Sequence, residues 1–237
     1  MTPTRLIDAT PIADDWRLIR LPWEKTPETT TPAPGHWLWL ETNEQRFCLP
    51  VRDADAGEGW IAGVLPAALL PEGLGPGSAI KRSALMGDAL QPKTAESAIV
   101  VAEDIGIGAA LHLAETQAER VNLVILGGQY GIPARLAPSR FYLPALAEQA
   151  IAGIGTLESL GLPARVALPE ERPGVFEGDV LELLALYLSE LPGERRAKTE
   201  IIALMPWGRS ATAQSPGGLK AAVGSVQWHE FPCRKTG

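Results

Sequence analysis

Cysteine is nearly absent from this chain: Cys48 and Cys233 are the only two among 237 residues. A single pair makes no disulfide framework, and two thiols fall short of the four thiolates that ordinarily ligate an iron–sulfur cluster or a Cys-rich zinc site. No iron–sulfur cluster is therefore expected within this chain, and any redox chemistry would need an organic cofactor. Histidine is as scarce, with His36, His112 and His229 scattered along the sequence. His-Glu-x-x-His, Gly-x-Ser-x-Gly and Walker loops are missing, so nothing points to a zinc protease, a serine hydrolase or a P-loop enzyme. No stretch approaches a membrane-spanning length of apolar residues, the densest, Leu181–Leu188, being interrupted by Glu182. The opening Met1-Thr2-Pro3-Thr4-Arg5-Leu6 lacks the basic start and apolar run of a secretory signal, which makes the cytoplasm the expected compartment. A basic excess is missing too: the net charge is −7, shared as −4 over residues 1–92 and −3 over 93–237, so neither half is suited to nucleic acid.

What is present is ordinary globular composition, 46% apolar and 21% charged, which folds around a core. The length allows one large domain or two small ones, and the pattern changes near Leu90-Gln91-Pro92-Lys93. Before it lie short apolar runs separated by turn residues: Trp16–Leu21, Trp37–Leu40, Arg46–Val51, Trp60–Val64 and Ala79–Leu85. These read as strands of a small barrel or sandwich, with the Pro-rich Thr26–Gly35 stretch as a connection. Five of the seven Trp fall here, and Trp37 and Trp39, two apart, share one face of their strand. They are core, or an interface or stacking surface.

Beyond residue 92, continuous apolar runs alternate with amphipathic segments, the mark of βα units around a parallel sheet. Five strands are expected, over Ala98–Ala102, Asn122–Gly127, Ala164–Leu168, Glu200–Met205 and Ser225–Phe231. Helices are expected over Gly108–Arg120, Leu143–Leu160, Asp179–Leu191 and Ser215–Val223, with Gly161 and Gly193 placed as C-terminal caps.

Several segments match a known layout in register. Pro34-Gly35-His36-Trp37 is similar to a Pro-Gly-Gln-aromatic strand opening, and Arg46-Phe47-Cys48-Leu49 falls where an Arg-x-Tyr-Ser flavin motif would stand. Gly75-Pro76-Gly77-Ser78 is similar to the Pro-Gly-Asp turn before a last barrel strand, with Met86-Gly87 at its close. Ile99–Ala110 resembles a strand, Gly-Gly-Ile-Gly-Ile-Ala turn and helix, and Met205-Pro206-Trp207-Gly208 sits where a Cys-Gly-Pro turn borders nicotinamide. Together these resemble the ferredoxin–NADP reductase superfamily over nearly the whole chain, closest in length and order to the electron-transfer subunit of dihydroorotate dehydrogenase. The resemblance implies an N-terminal small antiparallel β-barrel, a flavin-binding-like domain over 1–92, followed by a five-stranded parallel sheet flanked by helices, a nucleotide-binding-like domain over 93–237. It also implies FAD or FMN between the two, with Arg46, Phe47, Cys48, Gly106 and Gly108 as cofactor-binding residues.

At those positions the chain departs from the motif. Glu103 and Asp104 replace Gly at the turn where a pyrophosphate meets a helix N-terminus, and each like-charge contact there costs several kcal/mol, so ordinary NAD(P) binding is not expected. The two carboxylates suit a helix cap, or else a cation or ribose hydroxyl. Cys48 and Leu49 replace the stacking aromatic and the hydroxyl, leaving Arg46 to pair with a flavin phosphate or to serve as a solvated edge residue. Phe47 or Trp60 is the remaining stacking face. Trp207 could fill the nicotinamide pocket by itself. His229 and Cys233 stand four apart, but two ligands make no metal site, and surface packing is expected for His229. His36 and His112 read as structural. Two functions stay open: a flavin-type reductase-like electron-transfer subunit, or a cofactor-less scaffold or interaction subunit on the same fold. An unrelated α/β enzyme with its ligand above Glu103 and Asp104 is a third. Either of the first two implies a redox partner subunit or a homo-oligomer.

Overall fold

The computed structural model describes the chain except residues 14, 25–30, 44, 94–96, 147, 210–222, 233 and 236–237. Short runs broken by proline and glycine build eight strands in the front of the molecule: β1 (Thr2–Arg5), β2 (Asp8–Pro11), β3 (Trp16–Pro22), β4 (Trp37–Glu41), β5 (Arg46–Pro50), β6 (Asp53–Asp55), β7 (Trp60–Pro66) and β8 (Ala79–Arg82). They form two antiparallel sheets, one with the order β1-β8-β4-β5 and the other β2-β3-β7-β6. At the corners Ile7 N–H donates to the Arg20 carbonyl at 2.9 Å and Arg52 N–H to the Ala62 carbonyl at 2.8 Å, so the sheets wrap into a barrel. Alternate side chains point inward, and Ile19, Leu21, Leu38, Phe47 and Ile61 fill the interior, while Trp16, on the other face of β3, donates its indole N–H to the Tyr130 carbonyl at 2.8 Å. Gly63 lets β5 and β7 approach, because a Cβ there would lie 2.5 Å from the Pro50 carbonyl oxygen. β1, β2 and β6 hold too few apolar residues to stand out in the sequence.

The back of the molecule comprises β9 (Ala98–Glu103), α1 (Ile107–Thr116), β10 (Val121–Gly127), β11 (Leu136–Pro138), β12 (Ala152–Ile154), α2 (Gly155–Ser159), β13 (Ala164–Leu168), β14 (Phe176–Glu177), α3 (Val180–Glu190), α4 (Gly193–Ala197), β15 (Glu200–Pro206) and β16 (Ser225–Phe231). A parallel sheet runs in the order β14-β13-β10-β9-β15-β16. All five expected strands are in it, and the two-residue β14 adds a sixth at the edge. The strands are continuously apolar because both faces are covered: Val100 and Ala102 pack toward α1 and the barrel, Ile99 and Val101 toward α3. α1 is buried from Ile107 to Ala114 and, His112 apart, is apolar all round that stretch, as suits a helix held between two layers. Asp179 caps α3 with a capping box, its Oδ1 accepting from Leu181 N–H at 2.6 Å while Glu182 reaches back to Asp179 N–H at 3.0 Å.

One expected helix is wrong. Over Leu143–Leu160 the chain makes a 3-10 turn at Pro144–Leu146, then β12 antiparallel to β11, and is α-helical only over Gly155–Ser159. Gly153 and Gly155 interrupt the apolar pattern, and a Cβ at Gly153 would collide with the Glu158 carboxylate. That carboxylate accepts from the Ser139 hydroxyl and from Arg140 N–H at 2.9 Å, while buried Arg165 donates to Ser139 Oγ at 2.9 Å and to the Phe141 carbonyl at 2.6 Å. This buried polar network, not helix propensity, sets the path. The helix expected over Ser215–Val223 lies outside the described residues, Val223 apart.

The last described segment returns to the front. β17 (Arg234–Lys235) pairs antiparallel with β5, Arg234 opposite Phe47 and Lys235 opposite Arg46, and so becomes the fifth strand of that sheet. The connection between front and back is tied at the base of β15, where the buried Glu200 accepts from Lys93 N–H and from Gln227 Nε2, each at 2.7 Å. No described helix is long and apolar enough to cross a membrane.

Candidate cofactor site

Open α/β sheets hold ligands at the carboxyl ends of their strands where the order reverses, here at the crest of β9 and β15. β9 ends on Glu103, and Asp104 then turns the chain with a left-handed φ of +48°, a conformation uncommon for a residue with a side chain. Its side chain folds inward at 5% exposure and accepts from Tyr130 N–H at 3.4 Å, in the loop after β10. Burial, then the neighbouring Glu103, pushes the Asp104 carboxyl up to about 7, against the pull of the Tyr130 and Gln129 amides and of Arg209. Glu103 is matched by Arg209, whose Nε donates to its Oε2 at 2.6 Å while Nη2 reaches Asp179. One guanidinium thus joins the end of β9, the cap of α3 and the turn after β15.

The expected capping role is overturned, because the turn Asp104–Gly106 and α1 both start without a side-chain cap. The glycines of the turn face protein. A Cβ at Gly106 would collide with the Leu204 carbonyl of β15, and one at Gly108 would lie 2.9 Å from Val64 Cγ2 of β7. Their lack of side chains lets α1 wedge between sheet and barrel.

At the front, the Arg46 guanidinium lies 4.5 Å over the Trp39 ring, and its buried Nε has no hydrogen-bond partner. Trp39 in turn meets Trp37 edge to face at 5.4 Å, so the shared face read from their spacing is observed. Phe47 points into the barrel core and Cys48 lies on the opposite face, each 1% exposed. The backbone edge of β5 beside Phe47 is bonded to β17. Trp60, the other expected stacking face, carries the Arg20 guanidinium at 4.6 Å. Arg46 therefore fits a phosphate, whereas Phe47 and Cys48 offer a flavin ring neither an open face nor a free edge.

Trp207 does not fill a nicotinamide pocket: it is 72% exposed, with its backbone N–H donating to the Phe231 carbonyl at 2.8 Å. Phe231 is the buried aromatic, in the same cluster as Phe47, Cys48 and Leu49. His229 packs edge-on against it at 4.7 Å, with Nε2 buried, rather than lying on an open surface. Burial holds the His229 imidazole below its usual range. His36 Nδ1 accepts from Ala33 N–H at 3.0 Å and His112 Nδ1 lies 3.3 Å from the Val51 carbonyl, so both tie structure together. Cys233 lies outside the described residues, among which no three His, Cys, Asp or Glu side chains gather to hold a metal. The sequence held no signal for Arg209, whose partners lie 106 and 30 residues away.

No family model matches the chain, and no curated protein matches it in sequence. Solved structures do match. The cytochrome P450 reductase GcoB of Amycolatopsis aligns at a TM-score of 0.68 and 14% identity, over 97% of this chain and 70% of that one. The ferredoxin reductase of carbazole 1,9a-dioxygenase gives 0.67 at 14% identity, over 97% and 69%. The FAD/NAD-binding domain of the Vibrio cholerae nitric oxide dioxygenase gives 0.62 at 12%, over 96% and 98%. The chain has the fold of ferredoxin reductase-like FAD/NAD-binding proteins. These matches speak for the fold and do not bear on the narrower likeness to the dihydroorotate dehydrogenase subunit.

Proposed function

We propose that this chain is a reductase-fold subunit that works through its surfaces, as a scaffold or partner beside another electron-transfer protein, with its two cofactor positions taken by its own residues. The observation that carries this reading is the pairing of β17 along β5 where Phe47 and Cys48 are buried. The crest supports it: a pyrophosphate at the turn after β9 would have to displace the Asp104 carboxyl and the Glu103–Arg209 pair. The division near Leu90–Lys93 into a barrel unit and an α/β unit belongs to the same reading. The structural neighbours named as a P450 reductase and a dioxygenase's ferredoxin reductase suggest electron-transfer assemblies as the setting.

A second reading has one observation in its favour. The buried, unpartnered Nε of Arg46 over Trp39 suits a flavin phosphate, which would make the chain a flavin-type electron-transfer subunit. An absorption spectrum of the purified full chain, taken before and after incubation with FAD and FMN and desalting, separates the two. A colourless protein that retains neither flavin is expected. Retention of the visible bands of oxidised flavin, lost on Arg46→Ala, would overturn the scaffold reading and establish the anchor.

A further inference from the structure

A second cleft, lined by none of Arg46, Cys48, Glu103 or Asp104, opens between the outer face of β3 and β7 and the side of α1 that carries Leu111 and Glu115. Its volume is about 650 Å³, well inside the roughly 300 to 1,000 Å³ of small-molecule sites. Leu18, Val64, Leu111 and Pro133 make its surface largely apolar.

Its charges are unevenly matched. Arg52 reaches across to Glu115 of α1 at 2.6 Å. Arg20 has no such partner: no carboxylate lies within 4.0 Å of it among the described residues, its guanidinium rests on Trp60, and its buried Nε makes no hydrogen bond. Arg135, in the loop after β10, is exposed, and the second lining carboxylate, Asp53 of β6, is exposed and accepts from Ala54 N–H at 2.8 Å. Among the residues lining the cleft, three cations and two carboxylates leave one positive charge, beside an aromatic ring and an apolar wall; the next carboxylate, Asp8, is cross-strand from Arg20 on β2 and beyond ion-pair distance. A guanidinium with an unmet buried N–H is costly until an anion meets it. Its planar fork suits a carboxylate.

We propose that this cleft binds a small amphipathic anion, an apolar body bearing one carboxylate, with the carboxylate on Arg20 and the body against Trp60, Leu18 and Val64. No comparison with known proteins carries this site; it rests on the cleft and its unmatched arginine.

Isothermal titration of the full chain with 2-naphthoate, and in parallel with the uncharged 2-naphthalenemethanol, tests it. Naphthoate binds and the alcohol binds markedly less, with the difference shrinking as salt is raised. Arg20→Leu weakens naphthoate about tenfold or more, the worth of a charge-assisted bond. Ala134→Trp, which narrows the cleft from a loop without touching either sheet, abolishes binding while leaving the melting curve in place. The comparison of the two ligands on the unaltered protein stands even if Arg20→Leu fails to fold. No heat with naphthoate, equal binding of the alcohol, or full binding by folded Ala134→Trp would each overturn the proposal.

Discussion

The turn at Glu103–Asp104 and the strand edge at Arg46–Cys48 are the two expected cofactor positions, one in each half of the molecule, and they are filled by different physics. Side chains occupy the turn: a buried carboxyl that titrates near neutrality, and an ion pair across the crest. Backbone occupies the edge, where β17 takes up the hydrogen-bonding groups of β5. A proton or a single substitution can alter the first. The second changes only when a segment of chain leaves, since main-chain groups cannot be mutated away and must find other partners.

The largest expected effect that sharpens this contrast is at Asp104. Its folded-state value of about 7 lies above the ordinary 3.8, so the folded protein keeps a proton that the unfolded chain releases. Stability therefore falls as pH rises between those two values and is level above them. At about 1.4 kcal/mol per pH unit the loss is at most about 4 kcal/mol. Asp104→Asn keeps the acceptor for Tyr130 N–H and removes the charge, so it should flatten this part of the profile and be the more stable protein at pH above about 7. Chemical denaturation across the range measures it; parallel profiles for the two proteins would refute the assignment.

Next comes the packing beneath the turn. Gly106→Ala drives a methyl into the Leu204 carbonyl, a backbone group that cannot step aside, and should cost about 3 kcal/mol. Gly108→Ala meets only the Val64 side chain and should cost about 1 kcal/mol. Equal losses in urea unfolding would mean that α1 moves as a whole and that the carbonyl contact is not the obstacle.

Smaller again is Arg209→Ala, which strands Glu103 and Asp179 at partly buried positions for about 1 to 2 kcal/mol. It also removes a charge that holds Asp104 down, so the Asp104 titration followed by carboxyl NMR should move upward. A downward or absent shift would separate the two carboxylates. The smallest effect is expected where front and back meet through Arg52 and Glu115, both partly exposed. A double-mutant cycle with Arg52→Ala and Glu115→Ala should return a coupling of about 0.5 kcal/mol, vanishing in high salt.

Much of the fold was legible because its determinants are local. The runs at Ile99–Ala102 and Leu123–Leu126 announce strands covered on both faces, and Asp179 with Glu182 announces a helix start. Leu143–Leu160 misled because its apolar spacing is helical while its path is dictated by Arg165 and Ser139 gripping Glu158 and Phe141, contacts between residues far apart in sequence. Glu103 and Asp104 could be singled out from their place in a turn, but not their partners: Arg209 and Tyr130 come from other loops. Trp207 reads as a plug and is exposed, while the buried aromatic at that end of the sheet is Phe231. The direction of the Trp207 side chain is set by the turn that follows β15, which residue type alone does not encode.

By itself the sequence determined a front half of short strands, barrel or sandwich, ahead of a parallel sheet, since periodicity and turn residues act within a few positions of themselves; the barrel followed from the family resemblance. Only the tertiary structure decided that Asp104 folds inward onto the loop after β10, that Arg209 spans Glu103 and Asp179, and that β17 lies on β5. Each of these joins groups from distant parts of the chain, and their free energy exists only once burial has lowered the local dielectric and brought them into contact.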